Sequence, residues 1–171
     1  MVDDGAVTLT PGLTDAELAG IEDEFGFEFA DDHRSFLGTA LPIGDSWPDW
    51  RDAPRRSLHQ QLQLPVEGIV FAVEWRDFWG AGWGVRPARM KDALRSARYQ
   101  LARVPQLVPV HSNRYLAGGH GSHGNPVFSV YQADVTCCGS DLSTYIDSEF
   151  GTGKPATSPR QTVPFWSELI G

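Results

Sequence analysis

The sequence lacks the patterns that place a chain in or across a membrane. No apolar stretch approaches the roughly 18 residues that a membrane-spanning helix needs. The first ten residues carry Asp3 and Asp4 and do not show the basic-then-apolar pattern of a secretory signal. We therefore expect a cytoplasmic protein that does not bind membranes.

Cysteine is scarce, since Cys137 and Cys138 are the only two, and they are adjacent. Neighbouring cysteines do not easily reach disulfide geometry, so the chain is not a disulfide scaffold. A domain of about 150 residues buries roughly 70% of its unfolded surface and needs no such staple. The 171 residues predict one domain over 1–150, followed by a linker and a docked C-terminal segment over 151–171.

Motifs for catalysis are missing as well. The chain has no G-x-S-x-G nucleophile elbow. The run Gly151–Pro155 hints at a phosphate loop, but Ser148 stands where the first glycine belongs and Pro155 where Ser or Thr belongs. We expect no catalytic residue and no cofactor, and predict that the protein is not an enzyme.

A histidine-rich region leaves one chemical alternative open. His111, His120 and His123 precede Cys137 and Cys138, and histidine with thiolate ligands is typical of zinc sites. Successive strand residues point to opposite faces, however, so the two thiols do not readily share one ion. We predict no metal site. A small metal-dependent enzyme using His111, His120, His123 and Cys138 remains the less favoured alternative.

Charge is unevenly distributed along this acidic chain, whose net charge is −8. The net charge is −11 over residues 1–52, +6 over 53–120 and −3 over 121–171. An acidic protein lacks the basic footprint that nucleic-acid binding needs, and it favours a basic protein partner instead. Solubility alone is the simpler explanation of the acidic residues.

The N-terminal half predicts mainly helices. A capping box of Thr14 and Glu17 begins a helix that Gly26 ends, and a second helix starts at residue 31 or 32. Residues 41–54 contain three prolines and two tryptophans and predict an ordered loop. Residues 55–64 predict a helix ended by proline, residues 68–73 a buried strand, and residues 87–103 a long helix.

The C-terminal half predicts strands and a last helix. Short strands are expected over residues 107–110, 114–116, 127–131 and 135–138, the last two joined as a hairpin. Asp141 caps a helix that Gly151 closes. Helices around hairpin-linked strands predict an α+β fold with a mostly antiparallel sheet flanked by helices.

Tryptophan is the most informative residue type. Five of the six tryptophans fall in segments predicted as loops. Tryptophan and arginine are enriched at binding hot spots, although a tryptophan also pins a loop to a core. The candidate partner-binding residues, expected to be exposed in loops, are Trp47, Asp49, Trp50, Asp52, Trp75, Asp77, Trp79, Arg114 and Tyr115.

Several stretches carry the motifs of one family in the same order. Residues 24–37 resemble an opening motif in which a turn leads into a second helix. Residues 111–116 and 124–134 are similar to an Arg-Tyr edge, a glycine loop and an Asn-Pro-Val-x-Ser-Val-Tyr-Gln-x-Asp hairpin. Phe165 and Trp166 resemble a closing motif. Together these stretches resemble the bacterial branch of the SUKH superfamily, and the resemblance spans nearly the whole chain.

The resemblance implies an α+β, protein-binding domain without recognised catalytic residues. Bacterial members resemble immunity proteins that bind and neutralise a cognate toxin, and others are general intracellular interaction scaffolds. We expect the first role, with a cognate, basic toxin as partner, and keep the second as the alternative. Ala30, His33, Ala117 and the cysteine pair depart from the usual residues at their positions.

Overall fold

A computed structural model describes residues 7–151 and 161–170. Residues 152–160, which belong to the predicted linker, lie outside the described residues. The helices are α1 Asp15–Phe25, α2 Asp31–Thr39, α3 Arg55–Trp75, α4 Met90–Leu101 and α5 Leu142–Phe150. The strands are β1 Thr8–Pro11, β2 Ala40–Ile43, β3 Leu107–His111, β4 Arg114–Ala117, β5 Val127–Tyr131 and β6 Asp134–Gly139. A 3-10 turn follows at Ser167–Leu169.

The prediction of an α+β fold with an antiparallel sheet and flanking helices is confirmed. Strands β3 to β6 form one antiparallel sheet in sequential order, and the expected β5–β6 hairpin is its last pair. A separate antiparallel pair, β1 with β2, was not predicted. Its second strand begins the segment expected to be a loop, and Pro42 there made a strand hard to foresee.

The first helix follows its local signals. The Glu17 amide donates to Thr14 Oγ1 and the Thr14 amide donates to Glu17 Oε1, each over 3.1 Å. Gly26 then ends α1 with a positive φ of 72°, which glycine adopts at little cost. These two ends orient α1 so that Leu18 and Ile21 enter the core.

The helix α3 corrects two predictions. It continues through Pro65, which was expected to end it, and absorbs residues 68–73, which were expected to form a strand. Pro65 has no amide hydrogen to donate to the Gln61 carbonyl one turn earlier. The Tyr115 hydroxyl donates to that carbonyl over 3.3 Å instead. A side chain from β4 thus replaces the missing helical hydrogen bond.

The helix α4 is shorter than predicted, beginning at Met90 rather than at residue 87 and ending at Leu101 rather than near 103. Arg89 is its N-cap in extended conformation, and the Ala93 amide donates to the Arg89 carbonyl over 3.0 Å. Ala93 and Ala97 are fully buried, which allows α4 to pack closely on α3.

Two hydrophobic clusters form the main core, and α3 contributes to both. The first surrounds Trp50 and joins α1, α2 and the start of α3. The second lies between the end of α3 and the four-stranded sheet. It includes Trp166, which is fully buried and whose indole donates to the Pro105 carbonyl over 2.9 Å. Within the described ranges, no helix has the length and apolar character to span a membrane.

Candidate partner-binding surfaces

The first aromatic segment, residues 44–54, faces inward. Trp50 is 1% exposed, and its ring contacts those of Phe25, Phe27 and Phe29 at centroid distances of 5.4 to 6.2 Å. Trp47 is 9% exposed. The prediction that these two tryptophans are exposed is wrong. Three phenylalanines from α1 and its connector surround Trp50, and Trp47 packs against the rings of Phe36, His111 and Phe150.

Polar contacts hold the same segment against α1. Asp49 is half-buried and its carboxylate accepts from the amides of Arg51 and Asp52, which closes a turn. The Arg51 guanidinium donates to both carboxylate oxygens of Glu17, at 2.8 and 3.0 Å. This hydrogen bonding lowers the pKa of Glu17 to about 2. Asp52 is the exposed member of the group.

Of the predicted pair in β4, Tyr115 is buried and Arg114 half-buried. The exposure prediction for Tyr115 is therefore wrong, and burial raises the pKa of its hydroxyl to about 12. Its hydroxyl donates to the Gln61 carbonyl of α3, which fixes the position of the ring. The Arg114 guanidinium donates to Ser129 Oγ over 3.0 Å and to the Asn113 side chain, which holds it along the sheet.

The second aromatic segment, residues 75–84, faces outward at its start. Trp75 is 66% exposed, and the Asp77 side chain is 97% exposed. Trp79 is half-buried; its indole donates to the Gly84 carbonyl over 2.8 Å, and the Arg86 guanidinium lies 5.9 Å above its ring. Arg86 also pairs with Asp77 at 2.9 Å.

Beyond Trp79 this segment turns back onto the core. The Trp83 ring stacks on Phe165 with a centroid distance of 5.6 Å and packs against Phe78. It also lies directly over Gly80, where a Cβ atom would meet the ring at 2.4 Å. Next to these rings is an open cavity of about 400 Å³ with mixed polar and apolar walls.

An exposed apolar surface runs along α3 and was missed in the sequence. We call it the α3 stripe; it comprises Leu64, Phe71, Trp75 and Tyr131, which are 57%, 41%, 66% and 68% exposed. Spacings of seven and four place the three α3 residues on one helical face. Tyr131 joins them from β5 across a concavity of about 310 Å³. Reading residues 55–75 as one helix would have revealed this pattern.

Close packing of α3 on the β5–β6 turn positions Tyr131. Gly68 faces the Gln132 backbone, where a Cβ atom would lie 3.0 Å from the Gln132 Cα. Because glycine allows this approach, the hairpin turn lies against the exposed face of α3. The α3 stripe is therefore supported by two elements of regular structure.

A second apolar surface lies between β1 and α5. This β1–α5 groove has a volume of about 330 Å³, and its walls are almost entirely apolar. Leu9 and Phe150 are 68% and 45% exposed at its opening. Its lining residues are Val7, Leu9, Phe36, Thr39, Ala40, Pro42, Trp47, Ile146 and Phe150.

The three histidines of the less favoured metal-dependent alternative have different surroundings. His111 contacts the Tyr145 hydroxyl at 3.1 Å and packs against Trp47, and burial lowers its pKa. His120 contacts Glu22 and Glu28 instead, at 2.8 and 2.9 Å, and His123 is exposed. Among the described residues, no group of three His, Cys, Asp or Glu side chains is arranged to hold a metal ion.

Carboxylates at the start of α2 organise the glycine- and histidine-rich loop. The Asp31 carboxylate accepts from the Gly121 amide over 2.9 Å, and Asp32 accepts from the Gly124 amide over 3.1 Å. The buried Glu22 carboxylate accepts from the Phe29 amide and contacts His120, each over 2.8 Å. These contacts give the acidic residues a structural role.

One buried histidine has an unusual environment. His33 is 1% exposed on α2, and its ring packs against Phe29. Desolvation lowers its pKa from 6.5 to about 3, so the ring is neutral at physiological pH. Its Nδ1 makes no hydrogen bond to any described residue. His33 therefore contributes to the packing of the core as a neutral ring.

No family model, no curated protein and no solved structure matches this chain. The function must therefore be inferred from the exposed surfaces of the described residues. These include a stripe of exposed aromatic and aliphatic side chains on α3 and a separate apolar groove beside α5. Both are suited to contacts with another polypeptide.

Proposed function

We propose that this chain is a cytoplasmic, non-catalytic protein-binding module of the SUKH type that neutralises a cognate bacterial toxin by direct binding. The α3 stripe carries the proposal. Single exposed apolar residues are common on proteins, but neighbouring large ones mark interaction surfaces. Phe71, Trp75 and Tyr131 are also the aromatic type that is enriched at interfaces.

The positions of the family-like stretches support the SUKH part of the proposal. Residues 24–37 span the end of α1, its connector and most of α2. Residues 111–116 and 124–134 span the end of β3, most of β4, all of β5 and the first residue of β6. The similarity thus follows structural units rather than scattered residues.

Charge supports a basic toxin as the partner. The chain carries −8 overall and −11 over residues 1–52. A field of one sign accelerates association with an oppositely charged protein, while apolar anchors determine how long the complex lasts. We infer that acidic residues guide the toxin and that Phe71 and Trp75 anchor it, within an interface of roughly 800 Å² per partner.

The experiment is co-expression with the toxin encoded beside this protein. The chain should protect the cells and bind the purified toxin, and the double variant Phe71→Ser, Trp75→Ser should weaken binding at least about 100-fold, as expected for hot-spot residues. A matched control is Val85→Ser, Tyr99→Ser, since these residues are 94% and 61% exposed elsewhere. The control should bind like the wild type.

Retained protection by the double variant, with circular dichroism showing that it is folded, would contradict the α3 stripe as the interface. Failure of the wild type to bind or protect would contradict the toxin-neutralising role itself. Recovery of several unrelated partners in that case would favour the general scaffold.

A further inference from the structure

The β1–α5 groove has the form of a receptor for a single anchor. Its volume of about 330 Å³ is at the lower end of the roughly 300–1,000 Å³ typical of ligand sites, which suits one or two side chains. Trp47 and Phe36 form a stacked aromatic pair in its wall, with ring centroids 6.4 Å apart. Leu9 and Phe150 leave apolar surface exposed at the opening.

The surroundings of the groove are acidic. Asp147 and Glu149 lie close to Phe150 on α5, and Asp45 is exposed in the turn before Trp47. The charge of Glu149 acts on His111, which packs against both Trp47 and Phe150. Among the described residues, no Lys or Arg belongs to the lining.

Among the described residues, Arg114 is a cation close to His111, and it is engaged on the sheet. The charge of Arg114 also acts on His111. Its guanidinium donates to the side chains of Asn113 and Ser129 on the sheet. Among the described residues, the lining holds no carboxylate either, but the exposed Asp45, Asp147 and Glu149 each lie within two residues of a lining residue along the chain.

We propose that the β1–α5 groove binds a segment of a partner protein in which an aliphatic or aromatic side chain is flanked by Lys or Arg. The apolar side chain enters between β1 and α5, and the flanking cations pair with Asp45, Asp147 and Glu149. This goes beyond the toxin contact proposed for the α3 stripe, because it assigns a second surface with its own ligand chemistry.

Other occupants are outcomes that the test distinguishes. A second copy of the chain carries −8 overall but +6 over residues 53–120, so dimerisation of the free chain that Leu9→Ser with Phe150→Ser abolishes would assign the groove to a second copy. Residues 1–6 carry Asp3 and Asp4, which have the same sign as the rim. Residues 152–160 include Lys154 and Arg160, but their only apolar side chains are two prolines and one alanine. A basic segment with a large apolar side chain satisfies both features.

The test uses two synthetic peptides that differ only in charge. One is acetyl-Gly-Lys-Leu-Phe-Lys-Gly-amide, and the other has Glu in place of both Lys residues. Titrated into the isotope-labelled full chain, the Lys peptide should shift the amide resonances of Leu9, Ile146 and Phe150. It should bind at least about tenfold more tightly than the Glu peptide, and added salt should narrow that difference.

Variants separate the two parts of the recognition. Leu9→Ser with Phe150→Ser alters exposed residues, so the fold should persist while peptide binding is lost. Asp147→Asn with Glu149→Gln should retain binding but reduce the preference for the Lys peptide, since Asp45 remains. The control pair Val85→Ser, Tyr99→Ser should leave both unchanged.

Three further outcomes would overturn the proposal. They are the absence of shifts at the groove, equal binding of the two peptides, and binding only after residues 1–6 are deleted or 152–160 are replaced by Gly and Ser. The last result would assign the groove to the chain's own segment. Toxin binding through the α3 stripe is measured separately, so either proposal can fail alone.

Discussion

The two aromatic segments, residues 44–54 and 75–84, have similar compositions and opposite orientations. Both combine tryptophans with acidic residues and with glycine or proline. Trp50 in the first is 1% exposed, whereas Trp75 at the start of the second is 66% exposed. The composition of a segment therefore does not decide whether its tryptophan fills a core or is exposed.

The difference comes from what the rest of the chain brings to each segment. Phe25, Phe27 and Phe29 surround Trp50 with rings from α1 and its connector. Trp75 ends α3 on the face opposite the buried residues Ile69 and Val73. The first segment is thus a part of the core, and the second begins a candidate interface.

The largest difference in stability is expected when Trp50 and Trp75 are each replaced by alanine. Trp50→Ala should lower the free energy of unfolding by about 3–5 kcal/mol, because it leaves a large cavity in the core. Trp75→Ala should change it by less than about 0.5 kcal/mol, as expected at an exposed site. Urea unfolding measures both. Equal losses for the two variants would break the comparison.

Trp50→Phe sharpens that result. The Trp50 indole N–H makes no hydrogen bond to a described residue, so phenylalanine removes a buried donor that lacks a partner. Its loss of stability should be well below that of Trp50→Ala. A loss as large as that of the alanine variant would mean that ring shape alone governs this cluster.

Acid should destabilise the core around Trp50 through His33, whose ring packs against Phe29. The neutral form is favoured in the fold, where its pKa is about 3, and less favoured in the unfolded chain, where it is near 6.5. This contribution is fully present above pH 6.5 and is lost as pH falls toward 3. Between pH 7 and 4.5 we expect the wild type to lose roughly 2–3 kcal/mol more than His33→Phe.

The measurement for His33 is urea unfolding of both proteins across that pH range. Carboxylate titrations are common to the two chains, so the difference between their curves reports the imidazole. His33→Phe is the matched control because it keeps a ring beside Phe29 without a titrating group. Parallel pH dependence of the two proteins would contradict the assignment.

A methyl group at position 80 should destabilise the packing of the second aromatic segment, residues 75–84. A Cβ atom there would meet the Trp83 ring at 2.4 Å, and that ring is held by Phe78 and Phe165. Gly80→Ala should therefore destabilise by roughly 1–3 kcal/mol through overpacking. Gly82→Ala is the control, since a Cβ atom at that position would have no neighbouring atom within 4 Å. Thermal unfolding compares them, and equal effects would contradict the packing argument.

Local signals in the sequence predicted the elements that depend on local contacts. The capping box of Thr14 and Glu17 and the β5–β6 hairpin both form between residues close in the chain. The α+β class follows from such elements. The strand pair β1–β2 joins residues about thirty positions apart, and no turn signal connects them.

The candidate site was less predictable because exposure is a tertiary property. Of the nine predicted partner residues, Asp52, Trp75 and Asp77 are exposed, and Trp47, Trp50 and Tyr115 are buried. Leu64 and Phe71 lie on either side of Pro65, and a helix that ends at this proline would not place them on one face. An apolar run such as residues 68–73 does not by itself distinguish a strand from the buried side of a helix.

The smallest predicted effect concerns the hydrogen bond from the Tyr115 hydroxyl to the Gln61 carbonyl of α3, the helix that contributes to both hydrophobic clusters. Tyr115→Phe leaves the Gln61 carbonyl without its hydroxyl donor and should lower stability by about 1 kcal/mol. In a Pro65→Ala background the alanine amide can donate to that carbonyl, so the same substitution should have a smaller effect. A double-mutant cycle by urea unfolding measures this coupling. Independent effects of the two substitutions would mean that α3 tolerates Pro65 without help from β4, and that the α3 stripe depends on the helix alone.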